Sequence, residues 1–230
     1  MRPTSPNSDQ RTTRQFETRH SRRARTKLVE RLKRKGIRNQ AVLDALETVP
    51  RHLFLDPEQF DNAYVDTALP IGHAQTISQP FIVALMSEML LTATKKNQRV
   101  LEIGTGCGYQ TAILSHLFDR VYSVERILSL LQRAETNLEL LSINNATLQH
   151  GDGTDGWPGQ ETFDAIIVTA ASDNLPQPLL RLLEANTCLI APIGAPGHQQ
   201  LTTLRNQNGL ISSKTTEAVR FVPLLSGTCN

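Results

Sequence analysis

Val100-Leu101-Glu102-Ile103-Gly104-Thr105-Gly106-Cys107-Gly108-Tyr109 is the stretch from which the fold can be read. A short apolar run suited to a buried strand meets three glycines at alternate positions. A helical pattern over Tyr109–Leu117 follows. Glycines at such a junction let the backbone turn tightly and let a ligand approach it closely. The spacing is GxGxG, not the GxGxxG that sets a dinucleotide pyrophosphate on a helix N-terminus. Alone, the triplet is equally a tight strand-to-helix turn.

Working outward, the same strand–helix rhythm repeats. Strands are expected over Arg99–Ile103, Val121–Val124, Thr147–His150, Phe163–Thr169 and Cys188–Pro192. Helices are expected over Ile127–Leu141 and Pro178–Leu183. The unbroken apolar run after Phe163 suits a strand buried on both faces of a parallel sheet. Leu201–Arg205 and Ala218–Val222 read as a final antiparallel pair. The fold class is therefore α/β: a Rossmann-like, mostly parallel, doubly wound sheet with an antiparallel C-terminal strand pair.

Two acidic residues follow strands in register with the glycine turn. Glu125 lies 21 residues after Gly104, at the end of the second strand, where a carboxylate can accept hydrogen bonds from both hydroxyls of a ribose. An acid at a helix start is also favoured by the helix dipole. Asp152, in Gly151-Asp152-Gly153, is placed to accept from an adenine amino group, although Asp-Gly is a common turn. Glu102, at the strand end, can attract an ammonium group. Ligands of open α/β sheets bind at the carboxyl ends of strands, and the three acids with GxGxG point to S-adenosylmethionine (AdoMet) rather than a nicotinamide dinucleotide.

Upstream, a basic helix is expected over about Arg25–Lys35, with Leu28 and Leu32 on one face and Gly36 ending it. A second, capped by Asn39, carries Val42, Leu43, Leu46 and Val49 and stops at Pro50. Residues 51–80 read as mostly irregular. Ser78 is the expected cap of a helix carrying Phe81, Ile82, Leu85, Met86 and Met89. Residues 1–24 are expected to be a basic disordered tail, and 25–230 a single AdoMet-dependent domain with a helical extension over about 25–80. Residues 1–38 carry a charge balance of +10 and the remainder −8. A basic arm can touch acidic partners, but a solvated tail and helix face explain the same charge.

The hydrophobic share of 39% suffices for a buried core. No apolar run reaches the roughly 20 residues of a membrane-spanning helix. Cys107, Cys188 and Cys229 form no CxxC pair, which argues against a disulfide framework or a zinc site. A monomer in the reducing cytoplasm is expected, with no membrane partner and no nucleic acid.

Several segments in order carry a family likeness: Val49-Pro50-Arg51 with Phe54; Ala68-Leu69-Pro70-Ile71-Gly72; Gln75-Thr76-Ile77-Ser78-Gln79-Pro80; Val100–Ala112; Val124-Glu125-Arg126; His150–Gly153; Phe163–Ala171; Pro192–Gly194; and Val219–Leu224. On these the chain resembles the protein-L-isoaspartate O-methyltransferases over roughly residues 25–230. The Gln75–Pro80 segment is the most specific of them. Before Gln75 the family's usual glycine is replaced by Ala74.

The resemblance implies a class I methyltransferase that moves the methyl group of AdoMet to the free α-carboxylate of L-isoaspartyl residues in damaged proteins and peptides. S-adenosyl-L-homocysteine is released. The ester then closes spontaneously to a succinimide that hydrolyses partly to normal aspartate. The resemblance places cofactor contacts at Thr76, Ile77, Ser78, Glu102, Gly104, Thr105, Gly106, Gly108, Glu125, Arg126, Asp152 and Gly153. It places substrate contacts at Ser78, Pro192, Ile193, Gly194 and Gln199, makes Ser78 the catalytic residue, and requires no metal. A carboxylate with a pKa of about 3.5 is already ionised at pH 7, so alignment matters and a general base does not. Ser78, with the helix start behind it, is suited to hold that carboxylate; it is equally a good N-cap. Trp157 suits either an adenine cover or a loop anchor.

Three other functions compete. A methyltransferase acting on RNA or a small molecule has the basic arm in its favour, but Thr169-Ala170-Ala171-Ser172 lacks the aromatic stacker that RNA base enzymes often carry there. A nicotinamide dehydrogenase is disfavoured by the glycine spacing. A non-catalytic AdoMet binder is opposed by the intact Glu125, Asp152 and Ser78.

Overall fold

The computed structural model describes residues 18–207 and 209–230. Most of the tail expected over 1–24 lies outside the described residues, and what is described of it is helical. Helix α1 spans Arg19–Arg34 rather than starting at Arg25. Thr18 and Ser21 form a reciprocal capping box: the Thr18 hydroxyl accepts from the Ser21 N–H at 3.0 Å, and the Ser21 hydroxyl accepts from the Thr18 N–H at 3.1 Å. Such a cap supplies partners for the orphan donors of the first turn and so moves the start upstream. The apolar spacing, which begins only at Leu28, does not mark it. Helix α2 (Gln40–Thr48) follows Asn39, whose side chain accepts from the Val42 N–H at 3.2 Å.

Residues 51–80 are more ordered than the sequence suggests. They hold 3-10 turns at Arg51–Phe54 and Pro57–Asn62 and a hairpin of β1 (Leu69–Gly72) and β2 (Gln75–Ile77). Strands this short, one interrupted by Pro70, leave no alternation to read. His73 and Ala74 join them with φ of 52° and 55°, the backbone of a two-residue hairpin turn that favours Asn-Gly. The hairpin is tied to the main body by Ser129 Oγ, 2.9 Å from His73 Nε2, and by Arg133, which donates to the Ile71 carbonyl at 3.4 Å.

After α3 (Pro80–Ala93) the alternation runs largely as expected: β3 (Arg99–Ile103), α4 (Tyr109–Ser115), β4 (Arg120–Glu125), α5 (Leu128–Leu140), β5 (Ala146–His150), β6 (Ala165–Val168), α6 (Gln177–Arg181) and β7 (Cys188–Ile193). The antiparallel pair is longer than expected, β8 (Gln199–Gln207) with β9 (Leu210–Val219). Arg220–Val222 leaves the sheet instead of extending it. The strand order is β5-β4-β3-β6-β7-β8-β9, parallel through β7. The chain winds outward from β3 to β5 and returns to β6 on the other side of β3. The carboxyl end of β3 is thus the switch point, where such sheets open a crevice.

Side-chain alternation gives the sheet two apolar faces. Val100, Val121, Ala165 and Ile190 belong to a large core with Leu32, Leu46, Met86, Ile113 and Leu130 of the helices. Leu101, Ile103, Ile166, Val168 and Leu189 belong to a smaller one with Leu179, Leu183 and Phe163.

The hairpin tip yields a prediction. Ala74 is held in the left-handed region, which costs a residue with a Cβ about 1–2 kcal/mol. Ala74→Gly removes that cost and adds back a smaller chain entropy, so it is expected to stabilise by roughly 0.5 kcal/mol. Ala74→Val is expected to destabilise. Thermal and urea unfolding of the two variants check the opposite signs.

Candidate active site

Three glycines with positive φ carry the chain from β3 into α4. At Gly104 a Cβ would lie 2.3 Å from Thr169 Oγ1, so only glycine fits between β3 and β6. The Gly104 N–H donates to the Val124 carbonyl at 2.8 Å, and the Thr169 hydroxyl donates to the Gly104 carbonyl at 2.7 Å. The turn is thereby pinned from both neighbouring strands.

Beyond it lies a cavity at the strand ends. Its floor is formed by Gly104, Gly106, Glu125, Arg126, Gly153 and Thr169, and its roof by Ile71, Gln75 and Thr76 of the hairpin with Val222–Leu225 of the C-terminal segment. That segment is held across the strand ends. The Leu224 N–H donates to the Ala171 carbonyl at 2.7 Å, the Cys229 N–H to the Arg126 carbonyl at 2.7 Å, and the Leu128 N–H to the Cys229 carbonyl at 2.9 Å.

The three acids have different surroundings. Glu125, 6% exposed, lines the cavity. One oxygen accepts from the Gly106 N–H at 2.8 Å and the other from the Ile127 N–H at 2.9 Å. A carboxylate has about four acceptor sites, so each oxygen retains capacity for a ligand hydroxyl. Asp152 is turned to its own turn and to the C-terminal segment. Oδ1 accepts from the Thr154 N–H at 2.8 Å and from its hydroxyl at 2.6 Å, and Oδ2 accepts from the Gly227 N–H. Burial works against its charge, but those donors outweigh it and hold the carboxyl below its usual range.

Glu102 is fully buried beneath the glycine turn. Its Oε2 accepts from Ser123 at 2.6 Å and Thr111 at 2.5 Å, while Oε1 has no hydrogen-bond partner. Burial pushes this carboxyl up to about 8, only partly offset by the two hydroxyls. In β3 it alternates with Leu101 and Ile103, which places it on the α4 side and away from the cavity.

A second opening of about 800 Å³ adjoins the first and is lined by Ser78, Gln79, Thr67, His198, Gln199 and the Ala218–Val222 stretch. Thr76, Thr169 and Val222 line both openings and form their common wall. Ser78 is not the expected cap. The N-cap of α3 is Gln79, with no side-chain cap bond. Pro80 has no N–H, Ile82 and Val83 donate to the Gln79 carbonyl, and Phe81 donates to Asp66 Oδ1 at 2.9 Å. The helix start therefore has no donor left for a bound carboxylate there, contrary to expectation, and Ser78 lines the groove without capping the helix.

Of the sequence-predicted cofactor residues, the cavity gathers Thr76, Gly104, Gly106, Glu125, Arg126 and Gly153. Ile77, the last residue of β2, is buried in the core, and the Thr105 hydroxyl lies 2.6 Å from Ser123 inside the core. Gly108 begins α4 packed on Ala134, where a Cβ would lie 3.1 Å from that side chain. Of the predicted substrate residues, Ser78 and Gln199 line the groove and Pro192, Ile193 and Gly194 do not. The Gln199 amide is already engaged by Phe221, accepting its N–H at 2.5 Å and donating to its carbonyl at 3.2 Å. It shapes the wall. Trp157 packs on Tyr122 and donates to Glu161 at 2.7 Å, as a loop anchor does. The roof residues Ile71, Gln75 and Val222–Leu225 were missed, because only tertiary contact brings them over the strand ends.

A sequence profile of the family described as protein-L-isoaspartate(D-aspartate) O-methyltransferase matches residues 23–229. The protein-L-isoaspartate O-methyltransferase of Hahella chejuensis is 50% identical over 207 residues, covering 90% of this chain and 98% of that protein. That of Pseudomonas syringae pv. tomato is 51% identical over 208 residues, covering 90% and 98%. A crystal structure of a Plasmodium falciparum protein-L-isoaspartate O-methyltransferase in complex with S-adenosyl-L-homocysteine superposes with a TM-score of 0.77 at 30% identity, covering 91% of this chain and 99% of that one.

The buried Glu102 makes stability depend on pH. Its ordinary value is 4.5 and the fold raises it to about 8. Between these values the native state keeps a proton that the unfolded chain has released, so its stabilising contribution is present below 4.5 and is lost as pH rises towards 8. Glu102→Gln mimics the protonated form and is expected to lose less stability between pH 5 and pH 8. Urea unfolding at both pH values checks this, and parallel losses in the two proteins would contradict it.

Proposed function

The chain belongs to the protein-L-isoaspartate O-methyltransferase family, and we propose how its residues divide the work of that enzyme. It is an AdoMet-dependent methyltransferase that esterifies the free α-carboxylate of L-isoaspartyl residues in damaged proteins and peptides. The observation that carries the division is the common wall of Thr76, Thr169 and Val222 between cavity and groove. Two ligands, one on each side, meet there and nowhere else in the site.

The cavity residues fit AdoMet. Gly104 and Gly106 leave room for backbone to pass beside the methionine part, and Glu125 keeps acceptor capacity for the ribose hydroxyls. Gly153 and Arg126 border the adenine end. Asp152 accepts from the adenine amino group or holds the Gly227 roof beside it. Ile77, Glu102, Thr105 and Gly108 support the cavity wall from behind.

On the groove side, Ser78 donates its hydroxyl to the substrate carboxylate and aligns it. When bound, AdoMet supplies an electrophilic methyl on a sulfonium: a carboxylate oxygen forms the new C–O bond as the C–S bond breaks, and its electron pair returns to sulfur. No proton moves, because the acceptor is ionised at neutral pH. The protein's task is to exclude water and hold the two groups in line. Gln199 and Phe221, locked to each other, offer a fixed wall to peptides of varied sequence, with Pro192–Gly194 behind it. We also place the enzyme in the cytoplasm as a monomer, without a nucleic-acid partner. Its three cysteines are free, which suits a reducing compartment, and among the described residues no helix is long and apolar enough to cross a membrane.

Two substitutions test these roles. Glu125→Ala is expected to weaken AdoMet binding by about 1–3 kcal/mol through lost hydrogen bonds; unchanged affinity by calorimetry removes the ribose role. Ser78→Ala is expected to lower kcat/KM for an L-isoaspartyl peptide by about tenfold or more, as loss of one hydrogen bond to a charged group does, with AdoMet affinity little changed. Undiminished turnover removes Ser78 from the reaction.

A further inference from the structure

Ser78 sits in the short link between β2 and α3, and one residue outside that link determines where α3 begins. Asp66 makes three contacts. Its Oδ1 accepts from the Phe81 N–H at 2.9 Å, its Oδ2 pairs with Lys35 Nζ at 2.5 Å, and its backbone carbonyl accepts from Gln79 Nε2 at 3.0 Å. The Asp66 side chain is only 6% exposed. Lys35, at the end of α1, also lies over the Phe81 ring at 5.0 Å from its centroid. The next residue is held as well: the buried Arg51 donates to the Thr67 carbonyl at 3.4 Å.

Local sequence offers α3 no cap of its own. Gln79 caps nothing with its side chain and Pro80 contributes no donor. A helix start needs partners for its first N–H groups, and here the acceptor comes from a distant turn. The carboxylate fixes α3 from its first turn, and the carbonyl fixes Gln79 directly beside Ser78. Lys35 offsets the charge of the nearly buried Asp66 carboxylate.

We propose that Asp66 is a positioning residue for methyl transfer: it sets the Ser78-Gln79-Pro80 turn, and with it the Ser78 hydroxyl, against the groove. It acts as a geometric acceptor, with Lys35 holding its carboxylate in place. The inference rests on the assignment of Ser78 to the substrate carboxylate.

The test compares steady-state kinetics on an L-isoaspartyl peptide for Asp66→Ala, Asp66→Asn, Asp66→Glu and Ser78→Ala in the full chain, with AdoMet affinity by calorimetry. Asp66→Ala removes the acceptor and is expected to raise the peptide KM about fivefold or more, the scale of a lost helix cap, while AdoMet affinity stays within about twofold. Asp66→Asn keeps an oxygen where Oδ1 stands and is expected to restore most of the parent KM. Asp66→Glu keeps the charge but moves the acceptor by one methylene, and is expected to behave like Asp66→Ala. A residue needed only for charge or stability gives the reverse order, with Glu the better substitute, or lowers kcat through lost folded enzyme without moving the peptide KM. Either result overturns the inference, as does a parallel loss of AdoMet affinity. If Asp66→Ala does not fold, the order of Asn and Glu decides alone. Ser78→Ala with unchanged peptide kinetics removes the underlying assignment instead, whatever the Asp66 variants do.

Discussion

The backbone turn at Gly104 is the constraint from which the rest of the site follows. The chain leaves β3 with its N–H bound to the Val124 carbonyl and its carbonyl bound by the Thr169 hydroxyl. No side chain fits between them. This closeness at the switch point fixes the distance between β4, which presents Glu125, and β6, which presents Thr169. The glycine turn then passes low enough for the hairpin and the C-terminal segment to roof a cavity rather than pack on the strand ends.

The methyl acceptor makes few chemical demands. It is an ionised carboxylate, so the fold has no proton to manage; it has to bring two ligands to one wall and keep water out. The wall between cavity and groove accordingly holds two hydroxyls and an apolar side chain, Thr76, Thr169 and Val222, rather than a base and its orienting acid. The same demand explains why precision depends on parts far apart in sequence: Arg133 and Ser129 hold the hairpin, Gln199 is locked to Phe221, and Asp66 starts α3. The N-terminal helices pack over α3, and Lys35 at the end of α1 pairs with Asp66.

The central sheet was legible because its strands are apolar runs separated by helical spacing, and the order β3–β4–β5–β6–β7 with its antiparallel end follows from that rhythm. Glu125 was legible because position at a strand end determines what a side chain faces. Glu102 shows the limit of motif reading. It lies in the same motif, but alternation in β3 sends it to the opposite side from Ile103, into a buried site against two hydroxyls. The hairpin over 69–77 was missed because its strands are too short for a period and its turn uses His-Ala where glycine is the usual signal. Ser78 reads as a cap as well as a ligand-holding residue because it stands next to the helix start. The acceptor at Phe81 comes instead from Asp66, a tertiary contact that no local pattern encodes. The roof over Val222–Leu225 was hidden for the same reason.

The most direct test of the account uses two peptides identical but for one linkage, one with L-isoaspartate and one with L-aspartate, and AdoMet carrying a labelled methyl group. Label is expected on the first peptide alone, as an ester released by mild base. Equal labelling of both peptides, or of neither while AdoMet still binds, would contradict the assignment of the groove to an isoaspartyl carboxylate.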